Sequence, residues 1–136
     1  MKITIDDKHR ISDMQESFSE AFPFLKVEFF SRSHRQGEGS AKKFMIDPRK
    51  TLAECRTKHN SGNMIISGNI TVGELEQKFQ DYYGLSVQVF RKSGRVWLET
   101  TVTDGWTLER QNLEGESLST YMEKNVSRED FDADVE

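Results

Sequence analysis

Apolar side chains recur twice along the chain at helical spacing. Met14, Phe18 and Phe22 stand four residues apart, and so do Leu75, Phe79 and Tyr83. Each trio makes one stripe of an amphipathic helix, which predicts helices over 11–22 and 72–83. The first run stops at Pro23 and the second at Gly84. Glycine suits the left-handed residue that closes a helix, where a Cβ would clash. Each run is followed by strict alternation, Leu25, Val27, Phe29 in one case and Leu85, Val87, Val89 in the other. That period of two predicts strands over 25–30 and 85–90. Helix starts carry their own signals. Thr71-x-x-Glu74 has the form of a capping box, with Ile70 and Leu75 placed as a hydrophobic staple. Thr51-x-x-Glu54 has the same form, and Ser12-x-x-Gln15 is a weaker version.

The echo extends beyond the helices. Ile3-Thr4-Ile5 precedes the first and Met64-Ile65-Ile66 the second. Lys43-Phe44-Met45-Ile46 follows the first alternating segment, and Arg95-Val96-Trp97-Leu98 the second; Thr51-Leu52 and Thr107-Leu108 then open short helices. The order predicts two tandem β-α-β-β-α repeats, about 2–60 and 63–122. They make a single two-layer α+β domain over 1–126, with a mostly antiparallel sheet of five or six strands. Residues 127–136 read as an acidic disordered tail.

Ser93-Gly94 lies between two alternating runs and predicts a two-residue hairpin turn. That register sets Phe90 opposite Trp97 and Gln88 opposite Glu99 on one side. Leu85, Val87 and Val89 with Leu98, Thr100 and Val102 form the other, the expected core side. The corresponding hairpin of the first repeat has a longer connection, about 31–42. Loops of that length are commonly functional.

Composition narrows the classes. The chain has 136 residues, 19 Lys plus Arg against 23 Asp plus Glu, nine Phe, three Tyr and two Trp. Its length fits one domain, and its aromatics supply large core pieces. Residues 1–62 carry 12 basic and 9 acidic side chains, and the remainder 7 and 14, so a basic half precedes an acidic one. No apolar run approaches the ~20 residues of a membrane span, and the first residues lack the apolar stretch of a signal peptide. The expectation is a cytoplasmic protein. One cysteine, Cys55, excludes an internal disulfide.

Candidate chemistry is sparse. His9, His34 and His59 form no metal-ligand spacing, and Cys55 has no basic neighbour on its own helix face to lower its pKa. Gly37-Glu38-Gly39-Ser40-Ala41-Lys42-Lys43 matches no phosphate-loop pattern, and its Glu38 would repel a phosphate. Asp104 reads as a turn former. These readings give no catalytic residue, no cofactor, no metal and no enzyme.

Two surfaces stand out instead. Phe30, Phe90 and Trp97 fall on the sheet side away from the expected core. They are the candidate interface, for a protein partner or a second copy, or for stacked bases flanked by Arg32, Lys92 and Arg95, unless the last helix with Leu118, Tyr121 and Met122 covers them. Arg32, Arg35, Lys42 and Lys43 make the 31–43 loop a candidate phosphate or nucleic-acid contact. The leading expectation is a non-enzymatic interaction or regulatory module. A nucleic-acid binder is the alternative, and a small enzyme of unknown reaction comes third.

The run Val89-Phe90-Arg91-Lys92-Ser93-Gly94 through Trp97-Leu98-Glu99-Thr100-Thr101, then Thr103-Asp104-Gly105-Trp106-Thr107-Leu108 with Gln111-Asn112, resembles a family of short bacterial proteins of unknown function. The resemblance implies no activity and no site residue. The order β-α-β-β-α-β at 2–67 also resembles a ferredoxin-like unit, an order shared by RNA-recognition motifs. The basic, glycine and aromatic signature of those motifs is absent.

Overall fold

The computed structural model describes residues 1–32 and 41–135, with side chains placed through Tyr121. The elements run β1 (Lys2–Ile5), α1 (Ile11–Ala21), β2 (Leu25–Phe30), a 3-10 turn (Lys42–Phe44), α2 (Leu52–Cys55), β3 (Gly62–Ile65), α3 (Val72–Tyr83), β4 (Ser86–Ser93), β5 (Val96–Glu99) and α4 (Leu108–Val135). The class is α+β, as expected. The five strands among the described residues divide into two antiparallel sheets, β1-β3 and β2-β4-β5. A single sheet of five or six strands is therefore not what forms.

Pairing across the chain is the reason. β1 pairs with β3, Ile3 opposite Met64, and β2 pairs with β4, Glu28 opposite Gln88. Both pairings join one half of the chain to the other, so residues 2–67 do not close on themselves as a ferredoxin-like unit. The strand expected at 43–46 is reduced to the 3-10 turn and one bridge, Phe30 to Met45.

The two apolar stripes bury as their spacing requires. Ile11, Met14 and Phe18 of α1 and Val72, Leu75, Phe79 and Tyr83 of α3 are buried. They join Leu25, Val27, Phe29, Leu85, Val87 and Val89 in one core, which also takes Ile3, Ile5, Met64 and Ile66. Phe29 meets Phe79 edge-on, with ring centroids 5.8 Å apart. Helix α3 starts as expected, the Glu74 N–H donating to Thr71 Oγ1 at 3.1 Å, and ends on Gly84 in the left-handed region at φ 62. Helix α1 starts differently. Its N-cap is Arg10, whose N–H donates to Asp13 Oδ2 at 2.8 Å, so Ser12 is already inside the helix.

Helix starts leave amides without partners inside the helix. Here loop carbonyls take them. Ile11 and Ser12 N–H donate to the Lys50 and Pro48 carbonyls at 3.0 and 2.9 Å, while Leu52 and Ala53 N–H donate to His9 and Asp7 carbonyls. The same four bonds recur at α3. Val72 and Gly73 donate to Trp106 and Asp104 at 3.0 and 2.9 Å, and Leu108 and Glu109 to Ile70 and Gly68.

Helix α4 lies against the hairpin end of the larger sheet. Phe24 N–H donates to Asn112 Oδ1 at 2.8 Å, Arg91 Nη1 to Gln111 Oε1 at 2.8 Å and Gly94 N–H to Ser119 Oγ at 3.3 Å. Its backbone stays helical to Val135, through the stretch that the sequence assigned to an acidic tail. No helix among the described residues is long and apolar enough to cross a membrane.

Candidate interaction face

The β4–β5 hairpin turns at Gly94-Arg95. Ser93 faces Val96, Lys92 faces Trp97, Arg91 faces Leu98 and Phe90 faces Glu99. The expected register, with Ser93-Gly94 as the turn, is displaced by two residues. Gly94 has φ 64, and glycine at the first central position is what a type II′ turn requires. A slip of two keeps every side chain on its expected side of the sheet. Phe90, Lys92, Trp97 and Glu99 still share one face.

Lys26 and Glu28 of β2 lie on that face too, through the pairs Lys26–Phe90 and Glu28–Gln88. The Lys26 ammonium sits 5.3 Å from the Phe90 ring centre and 5.1 Å from that of Trp97, with Glu28 Oε1 at 3.4 Å. Two aromatic rings thus share one cation, an arrangement worth ~0.5–1 kcal/mol at an exposed site. Gln88 is 1% exposed in the middle of this face; its Nε2 donates to the Val89 carbonyl at 3.0 Å and its Oε1 has no partner among the described residues.

Of the three expected interface aromatics, the hairpin gathers Phe90 and Trp97 and excludes Phe30. Phe30 is buried, opposite Ser86 and bridged to Met45, and it adds nothing to an exposed patch. The described part of α4 does not cover the pair either. Its contact is with Arg91, whose side chain lies on the other side of the sheet by strand alternation, and Tyr121 is exposed. Two residues assigned to the core side are also exposed. Leu98 is 43% and Val102 95% exposed, and β5 ends at Glu99, before Val102.

The two edges of the three-stranded sheet differ. On the β2 edge each outward carbonyl has a donor. Ser19 Oγ donates to Leu25 at 3.1 Å, Gln15 Nε2 to Val27 at 2.9 Å, and Ile46 N–H to Phe29 at 2.8 Å. Burial of an unpaired carbonyl would cost ~1–3 kcal/mol, and capping also closes the edge to another strand. Among the described residues the β5 edge has no such cover. Val96 is 55% and Trp97 38% exposed. Thr100 N–H donates inward to the Val89 carbonyl at 3.3 Å. Antiparallel alternation therefore turns the backbone groups of Trp97 and Glu99 outward.

The basic loop is represented at its ends. Arg35 and His34 lie outside the described residues. Arg32 is exposed and its guanidinium lies 4.5 Å from the Phe44 ring centre; Lys43 Nζ lies 5.1 Å from the same ring. Lys42 and Lys43 belong to the 3-10 turn.

A polar cluster that the sequence did not announce lies elsewhere. The Arg56 guanidinium is buried and reaches Asp7 Oδ1 at 2.9 Å, the Tyr83 carbonyl at 3.1 Å and the Asn60 carbonyl at 2.7 Å. His59 Nδ1 lies 2.7 Å from Asp7 Oδ2. Desolvation would raise the Asp7 pKa, but hydrogen bonds from Arg56 and His59 and their charges outweigh it and hold the carboxyl below its ordinary range. Forty-nine residues separate Asp7 from Arg56, so no local motif could reveal the pair. The cluster ties the β1–α1 loop to the segment before β3 and presents no nucleophile. Burial pushes the Cys55 thiol up, against a smaller opposing pull from Lys50. No group of His, Cys, Asp and Glu suited to a metal ion occurs among the described residues.

No protein-family model, no curated protein and no solved structure matches this chain.

Proposed function

We propose that this chain is a non-enzymatic protein-interaction module that meets its partner along the β4–β5 hairpin. The observation that carries the reading is the exposure of Val96, Trp97 and Leu98 on a strand edge that no described residue caps, beside the Lys26–Phe90–Trp97 cluster. Apolar side chains on an open edge are unfavourable in a lone molecule and become favourable once another surface covers them. The titratable groups that geometry brings together serve packing: Asp7 is spent on Arg56 and His59, and Cys55 is a weakly acidic thiol.

We further propose that the module arose by tandem duplication of a β-α-β-β-α unit. Supporting this, Ile11, Met14, Phe18 and Phe22 correspond to Val72, Leu75, Phe79 and Tyr83 at one constant spacing, all buried. The four helix-start hydrogen bonds recur with matching donors and acceptors. Strand pairing adds a geometric argument. Ile3 pairs with its counterpart Met64, and Glu28 with its counterpart Gln88, as required if a pseudo-twofold axis relates the halves.

The test is capture of partners on the immobilised wild type and on a Trp97→Ala variant, with and without nuclease treatment. A protein retained by the wild type and lost from the variant is the expected result. Retention that depends on nucleic acid and on Arg32 and Lys43 instead would replace this reading with the nucleic-acid alternative. Equal retention by both proteins would remove the hairpin from the account.

A further inference from the structure

The β5 edge carries a pattern complementary to its own reverse, with opposite charges at its two ends and apolar residues between. The sequence there is Arg95-Val96-Trp97-Leu98-Glu99. Outward backbone groups belong to Trp97 and Glu99, so a strand added antiparallel to this edge hydrogen-bonds at those positions. A second β5, turned by a twofold axis through Trp97, meets Trp97 with its own Trp97 and Glu99 with its Arg95, the turn residue just before the strand. In that register Trp97 faces Trp97 of the other copy, Val96 faces Leu98, and Arg95 faces Glu99 at both ends. Opposite charges across strands attract, and like charges directly opposite repel. The apolar and charged positions match together in one register.

We propose that the partner surface of this hairpin is a second copy of the chain, added antiparallel through β5 about Trp97. The two three-stranded sheets would become one six-stranded sheet, β2-β4-β5 continued by β5-β4-β2 of the other copy. This rests on the interaction-module reading and names its partner. The contrast between edges favours it. The β2 edge spends Ser19, Gln15 and Ile46 on closing its carbonyls, while β5 leaves the Trp97 and Glu99 backbone groups without a partner among the described residues. On the joined sheet Trp97 lies beside its copy on the face that holds Lys26 and Phe90, since Lys92 pairs with Trp97 and Lys26 with Phe90. Val96 and Leu98 of both copies line the opposite face. Val96 of each copy would pack beside Leu98 of the other across the joint.

Charge reversal tests the register. Arg95 and Glu99 are both exposed, so Arg95→Glu and Glu99→Arg should fold, which thermal melting checks. Sedimentation equilibrium of the full chain, from micromolar to near-millimolar concentration, reads the association. The wild type should form a dimer. Each single reversal sets like charges opposite at both ends and should weaken it by about tenfold or more. The double variant Arg95→Glu with Glu99→Arg should recover the dimer, and an equimolar mixture of the two single variants should form a mixed one. A wild type that stays monomeric throughout overturns the proposal. So does a dimer indifferent to either reversal, or one that neither the double variant nor the mixture restores. If the wild type is monomeric but captures a different protein through Trp97, self-pairing falls and the module reading stands. If it is monomeric and Trp97→Ala changes no capture, both fall.

Discussion

Replacing Gly115 by alanine should destabilise the protein, against the trend for helices. Gly115 lies inside α4, where alanine is normally better by ~1 kcal/mol because glycine loses more backbone freedom. A Cβ on Gly115, however, would stand 2.9 Å from Phe24 Cβ, 3.1 Å from Arg91 Cγ and 3.2 Å from the Lys92 carbonyl oxygen. The Arg91 methylene can move. The Lys92 carbonyl is backbone of β4 and Phe24 Cβ is one bond from backbone, so α4 must back away. Overpacking of this kind costs ~1–3 kcal/mol. Backing away also loosens the bonds from Phe24 N–H to Asn112 and from Gly94 N–H to Ser119, each worth ~0.5–1.5 kcal/mol. Set against the propensity gain, the net loss is about 1–3 kcal/mol. Urea unfolding followed by tryptophan fluorescence reads it. Gly105→Ala is the control, since nothing lies within 4 Å of its would-be Cβ, and it should stay within ~0.5 kcal/mol of wild type. A Gly115→Ala protein as stable as wild type, or more so, would refute the close docking of α4 on the hairpin.

Phe18→Ala and Phe79→Ala should each cost ~3–5 kcal/mol in chemical unfolding, because both rings are fully buried; a loss below ~1 kcal/mol at either would contradict its place in the core. Gly84→Ala should cost ~1–2 kcal/mol in the same assay, since the residue sits at φ 62 and its Cβ would meet Lys58 Cβ at 3.2 Å. Asp7→Asn should change the acid limb of stability. A carboxylate whose folded pKa is depressed contributes stability above its ordinary value of 3.8 and loses it as pH falls through the lowered one. Thermal midpoints of wild type and Asp7→Asn should therefore differ at neutral pH and converge below about pH 4, and a constant gap across that range would contradict the Arg56–Asp7–His59 assignment.

Much of the fold was legible because burial imposes a period. Four-residue spacing placed α1 and α3, and alternation placed β2 and β4, each within a residue or two. What periodicity does not encode is which strand edges meet. Ile3-Thr4-Ile5 carries no mark directing it to Met64 rather than to the neighbouring β2, so two sheets replaced the one expected. The hairpin turn was ambiguous for a local reason: Ser93-Gly94 and Gly94-Arg95 both make two-residue loops, and only the positive φ of Gly94 at the first central position separates them. At the candidate site, alternation put Phe90 and Trp97 on one face correctly. It placed Phe30 there as well, and could not reveal that Phe30 is buried against a bridge to Met45. Lys26 was missed, although its position one residue out of phase with Leu25 and Val27 set it on the same face as Phe90. Asp7, Arg56 and His59 carry no periodic signal at all.

The most direct measurement is the behaviour of Trp97→Ala beside the wild type in thermal melting and in partner association. Trp97 is 38% exposed, so most of its side chain already packs on the hairpin and on Lys26, and its loss should cost the monomer ~2–3 kcal/mol, less than a fully buried aromatic. Association, read by sedimentation or by retention of a captured protein, should fall by at least tenfold, as expected for a central interface tryptophan worth ~2 kcal/mol or more. A variant that melts many degrees lower while associating as the wild type does would make Trp97 a core residue and contradict the hairpin as the site of interaction.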